Sequence, residues 1–284
     1  MKDFDKRKEI VQKLRPIDDA FFQKLMEDRM VCQEILRVIL EEPDLMVEKV
    51  IPQNSVKNLQ GRSVILDVLC KRSDGSFYNL EVQKADDDNH LKRVRYNASC
   101  ITANVTEPGD KFEKVPDVCV VYISRFDMFK ENRTIYHVDS VIRETGTQVD
   151  NGLKQVFVNT RVNDGSEISE LMECFESPKV DNPKFPYLSE RVKHYKEQQE
   201  GVEVMCGLIE EYGDLKKAEG RAEGRAEGRA EGKAEGKAEG KAEGKAETIV
   251  QMLQSGLSYE EVARIVKMSV DRVKEMENLV MVNV

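Results

Sequence analysis

Residues 1–200 predict a mixed α/β fold with the order α, three β, α, β. A long helical or disordered low-complexity segment and a small all-α C-terminal piece are expected to follow. Three observations lead there. The apolar period changes from helical spacing to strand-like spacing and back along residues 18–105. Two apolar-rich runs, 63–71 (SVILDVLCK) and 77–84 (FYNLEVQK), flank Arg72-Ser73-Asp74-Gly75, a hairpin turn signal. A four-residue charged repeat then interrupts any globular pattern from Lys217 to Glu247.

Each element has its own justification. Residues 18–40 place Phe21, Phe22, Leu25, Met26, Ile35, Leu36, Ile39 and Leu40 on one helical face. Residues 47–57 read as a strand before the hairpin, and 89–105 as a helix after it. Residues 117–124 (DVCVVYIS) are continuously apolar, as in a strand buried on both faces. Further strands are expected at 134–143 and 154–160, with a helix running from Leu188 into the repeat.

Composition excludes several function classes. No apolar run nears the roughly 18 residues of a membrane helix, and residues 1–16 are charged, so neither a membrane span nor a secretory signal is expected. The six cysteines form no CxxC and no Cys/His cluster, which predicts reduced core residues in a cytoplasmic protein. There is no P-loop, GxSxG or HExxH. The net charge is −9. Residues 216–247 hold nine bases and eight acids, and 248–284 hold four and five, so the first 215 residues carry all of it. Nucleic-acid binding would therefore need a local basic face or metal ions rather than bulk charge.

The repeat is built of Lys/Arg-Ala-Glu-Gly units. Each glycine opposes a helix by about 1 kcal/mol relative to alanine. Period four also sets like charges at i,i+4, while opposite charges two residues apart do not face each other. An isolated helix here is weak; if helical, 31 residues would span about 46 Å. A spacer and a self-association element both remain open, since two copies could set acid against base with Gly and Ala allowing close approach. Division into 1–200, 201–247 and 248–284 is expected. In the last part Gly256 can end a helix, Ser258 and Glu261 form an S-x-x-E capping box, and Ser269 can cap another helix. The pattern resembles helix-turn-helix, but Arg272 and Lys274 are offset by Asp271, Glu275 and Glu277. DNA reading and a packing or assembly role are the alternatives.

Asp67 is the anomaly, a carboxylate within Val64-Ile65-Leu66-Asp67-Val68-Leu69, where burial without a partner is costly. On the next strand Glu81 and Gln83 share one face, and Val82 and Lys84 point to the other. The hairpin sets Glu81 beside Asp67 or close to it. Two converging carboxylates suit a hard divalent cation that activates water against a phosphodiester. Alternatively, Glu81 and Gln83 lie on the solvated face of an edge strand and Asp67 pairs with Arg62, Arg72 or another basic residue.

Those residues also carry a family resemblance. Asp18-Asp19-Ala20-Phe21, Leu66-Asp67-Val68, GSFYNLEVQ ending at Gln83, KRVRYNAS from Lys92 and Pro108-Gly109-Asp110-Lys111-Phe112 occur in order. Together they resemble the PD-(D/E)XK nuclease-like family of transposases, also called the Rpn family of recombination-promoting nucleases. The resemblance is dense over 15–130, looser to 200, and does not cover 248–284. It implies a restriction-endonuclease-like αβββαβ core with a mixed central sheet and a metal-dependent DNA endonuclease. Asp67 and Glu81, with the Val82 carbonyl, would hold Mg²⁺ (or Mn²⁺), and Asp18 would be an outer acidic partner. Gln83 stands where the wider superfamily has lysine; it can orient a water but carries no charge. Lys92, Arg93 and Arg95 would contact phosphate. The implied partners are DNA and, through the C-terminal region, a second copy. A catalytically weak binding or assembly module is the rival reading. Of the remaining candidates, His90 is expected at the surface or in a loop rather than as a general base, Asp86-Asp87-Asp88 in a solvated turn with a second metal position as the alternative, and Arg191, Lys193, His194 and Lys196 on a solvated helix face with phosphate contact as the alternative.

Overall fold

The computed structural model describes residues 2–56, 64–86 and 89–281. The chain divides into two compact units, Met1–Tyr212 and Gly213–Val284. The first holds a six-stranded mixed sheet in the order β1-β2-β3-β4-β8-β5. β1 (Val47–Val56), β2 (Val64–Arg72) and β3 (Phe77–Gln83) form an antiparallel meander. β3 is parallel to β4 (Val118–Ser124), and β4 to β8 (Leu153–Asn159). β5 (Ile135–Val138) closes the edge antiparallel to β8. Between them a separate hairpin pairs β6 (Ser140–Val141) with β7 (Gln148–Val149).

The β3-to-β4 crossover runs through α4 (His90–Val105), which covers one face of the sheet with Val94, Ala98, Cys100 and Ile101 against Leu69, Val120, Tyr122 and Phe157. The other face takes α2 (Asp19–Met26), α3 (Arg29–Ile39), α5 (Glu167–Glu176) and α6 (Pro186–Glu197). Phe21, Phe22, Leu25, Ile35, Leu36, Phe175 and Phe185 are fully buried there. β4 is buried at every position, as its unbroken apolar run requires. α1 (Lys2–Lys13), not read from the sequence, contributes Val11 to that core.

Two expected long helices are each two helices. Residues 18–40 break after Met26 because the Asp28 carboxylate accepts the Met30 N–H at 2.8 Å and starts α3. The helix expected from Leu188 breaks at Gln198, between α6 and α7 (Gln199–Gln254). Gly201 permits that restart: a Cβ there would overlap the His194 carbonyl oxygen. The run 134–143 is likewise β5 and β6 rather than one strand. The start of α7 stays with the first unit because Val202, Met205 and Cys206 are buried in its core. α7 continues as helix through the repeat.

In the second unit, Ala246 and Ile249 near the end of α7 pack with Val262 and Ala263 of α8 (Tyr259–Val266) and Val273 and Met276 of α9 (Val270–Met281). Ser258 and Glu261 form the expected capping box, and Gly256 takes φ +95° just after α7. The basic residues of α9 are engaged within the unit: Arg272 pairs with Glu275, and Lys274 lies 5.6 Å from the Tyr259 ring centre. Among the described residues no helix is long and apolar enough to cross a membrane.

Candidate active site

The sheet opens where β2 parts from β3. Their backbone pairing runs from Lys71/Phe77 to Val68/Leu80, and one step further Asp67 would face Glu81. Side chains take over the ladder there. The Val82 N–H donates to Asp67 Oδ2 at 3.1 Å, and the Asp67 N–H points at Glu81 Oε1 at 3.4 Å. β3 meanwhile stays paired with β4 as far as Gln83/Ser124. β2 also turns over at this point: Leu66 packs on the α4 side, whereas Val68 and Cys70 pack on the α2 side. Asp67 sits on that irregularity, which explains a carboxylate in an apolar strand. Its side chain interrupts the pairing instead of entering the core.

The surroundings of the pair are specific. Gln23 of α2 donates to Asp67 Oδ1 at 3.3 Å. Glu81, only 1% exposed, accepts from Asn79 Nδ2 at 3.0 Å. Arg93 of α4, 42% exposed, places Nη2 3.9 Å from Glu81 Oε2, an ion pair without a hydrogen bond. Burial, and then the Asp67 charge, push the Glu81 carboxyl up to about 8; Asn79 and Arg93 oppose this without cancelling it. Burial also raises Asp67, and the nearby Asp19 adds to that. With both acids ionised the pair would hold more negative charge than one loose guanidinium offsets, so without a cation it retains a proton, and Glu81 Oε2 keeps open acceptor capacity. That donor set fits a hard divalent cation with oxygen ligands. Among the described residues no three His, Cys, Asp or Glu side chains form a ready-made cage, so remaining ligands would be backbone, water or substrate oxygens.

Other expected site residues are placed differently. Val82 points into the α2-side core, and only its backbone reaches the pair. The Gln83 amide donates to the Ala85 carbonyl at 2.9 Å, and its own backbone carbonyl accepts from the Arg125 N–H at 3.0 Å. Lys84 does point away, to Asp18 and Asp19 at 3.3 and 3.7 Å. Asp18 also accepts the Arg15 N–H at 2.8 Å and pairs with the Arg15 guanidinium. Burial pushes its carboxyl up, but Arg15 and Lys84 outweigh that and hold it below the usual range. It is thus part of an ionic cluster beside the opening. Lys92 and Arg95 are exposed on α4. Of the proposed partners for Asp67, Arg62 lies outside the described residues, and Arg72 pairs instead with Glu42 and Asp74.

Two readings are corrected. His90 is not a surface residue. It is 2% exposed at the first turn of α4, with Nδ1 2.8 Å from the Tyr122 hydroxyl and its ring against Phe126. Nε2 has no hydrogen bond of good geometry, though Asp86 Oδ1 approaches to 3.4 Å. Asp86 is exposed, as a solvated turn requires; Asp87 and Asp88 lie outside the described residues. Lys196 is not on a solvated face either. It is buried, and its Nζ donates to the carbonyls of Gln12, Leu14 and Pro178, closing the C-terminal end of α1. In the same stretch Arg191 pairs with Asp28, which leaves it a structural role.

The sequence model of one family, PD-(D/E)XK nuclease family transposase, matches residues 17–173. The chain belongs to that family. The match spans α2 to α5 and so contains Asp18, the Asp67–Glu81 pair, Gln83 and Arg93. It stops before α6, the repeat and the second unit. The six-stranded mixed sheet agrees with a PD-(D/E)XK-like fold. No curated protein and no solved structure matches the chain. What the sequence missed is Gln23, Asn79 and the reach of Arg93. Asn79 had a signal, since it shares a strand face with Glu81; Gln23 had none.

Proposed function

We propose that the chain is a metal-dependent DNA endonuclease that hydrolyses phosphodiester bonds and promotes recombination. The observation carrying this reading is the buried, converging Asp67–Glu81 pair, which one loose guanidinium is too weak to keep fully ionised, at the point where β2 leaves β3. Asp67 and Glu81, with the Val82 carbonyl, would hold Mg²⁺ or Mn²⁺. When bound, such an ion supplies an activated water and neutralises phosphate charge. The protein's own groups do the rest. The Val82 N–H and Gln23 fix the Asp67 carboxylate, and Asn79 fixes Glu81, so neither swings out when the charge around it changes. Arg93, at the exposed rim, meets a phosphate oxygen of DNA, with Lys92 and Arg95 further out on α4. Gln83 orients a water once its amide leaves the Ala85 carbonyl. Asp18 keeps Lys84 and Arg15 in place as an outer acid. Six buried free thiols accord with a reducing cytoplasm.

One observation favours the rival, a catalytically weak binding module: Gln83 supplies no charge and is tied to its own strand end. Purified full-length chain is incubated with supercoiled plasmid and Mg²⁺ or Mn²⁺, beside Asp67→Ala and Glu81→Ala, while Mn²⁺ binding is measured by calorimetry. Nicking and Mn²⁺ binding lost together in both variants support the endonuclease. Equal nicking by all three proteins removes the catalytic claim. Mn²⁺ binding without nicking selects the rival.

A further inference from the structure

The repeat that follows the nuclease unit carries a pairing rule. Its unit is base-Ala-Glu-Gly, from Lys217 to Glu247. Read backwards about a glycine, the unit exchanges acid and base and leaves Ala and Gly where they were. Gly232 is the midpoint of the block. About it, Lys217 is matched with Glu247, Arg221 with Glu243, Arg225 with Glu239, Arg229 with Glu235, and Gly228 with Gly236. A parallel, in-register copy would instead set every charge against its own kind.

Helix geometry adds direction to this matching of levels. α7 is helical through the whole block, and Gly228, Arg229, Gly232, Lys233, Gly236, Lys237, Gly240 and Lys241 are exposed. At about 100° per residue, a four-residue unit returns to its starting azimuth with a drift of about 40°. With Gly232 turned to the partner, positions 221 and 225 fall within about 20° of the contact direction, and 217 and 229 within about 60°. A two-fold axis brings each mate to the same level with the opposite tilt, so positions 243 and 239 of the second copy, also within about 20° of the contact direction, face 221 and 225, while the mates of 217 and 229 fall to the other side of the contact. Positions 237 and 241 turn away. Gly228, Gly232 and Gly236 form the centre of the contact, where absent Cβ atoms let two backbones approach. The arrangement also sets an opposite charge beside the i,i+4 like-charge rows that weaken a lone helix.

We propose that residues 217–247 are a homodimerisation element in which two copies of the chain pair antiparallel about Gly232. This goes beyond the nuclease reading and does not depend on it. In the full-length chain, Gly232→Cys forms a disulfide-linked dimer under mild oxidation. Gly228→Cys and Gly236→Cys cross-link when mixed, and neither does so alone. Arg221→Glu with Arg225→Glu weakens the dimer at least tenfold by light scattering in low salt. Lys237→Glu with Lys241→Glu changes it less than threefold. Self-linking by Gly228→Cys alone shows a parallel pair and overturns the proposal. No link through Gly232→Cys, or equal effects of the two charge reversals, also overturns it.

Discussion

Replacing Glu81 by glutamine isolates the physical basis of the site. In the metal-free chain, burial and the Asp67 charge raise Glu81 from its ordinary 4.5 to about 8. Between those values the folded state holds a proton that the unfolded state has released. The stabilisation is therefore complete below about pH 4.5 and is lost as pH rises through about 8. Each tenfold change in proton affinity is worth about 1.4 kcal/mol, and Asp67 shares the charge, so the loss across pH 5–8.5 is about 2–5 kcal/mol. The Glu81→Gln variant would keep an amide in place of the protonated acid, with its Asn79 contact reoriented. Urea unfolding in EDTA, followed by tyrosine near-UV circular dichroism, should show Glu81→Gln losing much less stability over that range and exceeding the natural chain at pH 8. Mn²⁺ at pH 8 should stabilise the natural chain and leave the variant unchanged. Parallel pH profiles for the two proteins would refute the reasoning, because then no strained buried charge exists for a metal to relieve.

Three further outcomes follow from single contacts. Lys196→Met should cost about 2–4 kcal/mol in urea unfolding, because three carbonyls around the buried ammonium lose their donor. Gly201→Ala should lower the thermal midpoint and loosen the α6–α7 junction, seen as faster amide exchange near His194, since the added Cβ would overlap its carbonyl oxygen. Arg93→Ala should weaken plasmid binding in the Asp67→Ala background, measured by filter retention, and shrink its salt slope by about one, whereas Arg93→Lys should retain most of both.

Much of the architecture was legible from local patterns. The 72–75 turn, the apolar run 117–124, the Ser258/Glu261 box and the out-of-place Asp67 all rest on interactions spanning a few residues, which sequence spacing encodes directly. The break at Asp28 was legible in principle, but an apolar stripe that continues across it conceals the cap. His90 and Lys196 depart from expectation for a different reason. Polar residues signal exposure by default, and only a distant partner reverses that: Tyr122 for the histidine, and the carbonyls of residues 12, 14 and 178 for the lysine.

The sequence by itself determined the kinds of element, the hairpin that aligns two strands and the two carboxylates it brings level, because periodicity and turn chemistry act over short separations. It also determined the reversal symmetry of the repeat. Tertiary structure alone decided that β2 would part from β3 at Asp67, that Gln23 and Arg93 would reach the pair from helices on opposite sheet faces, and that Gln83 would turn to Ala85. Those outcomes depend on how distant segments share one buried volume, a balance that no local pattern records.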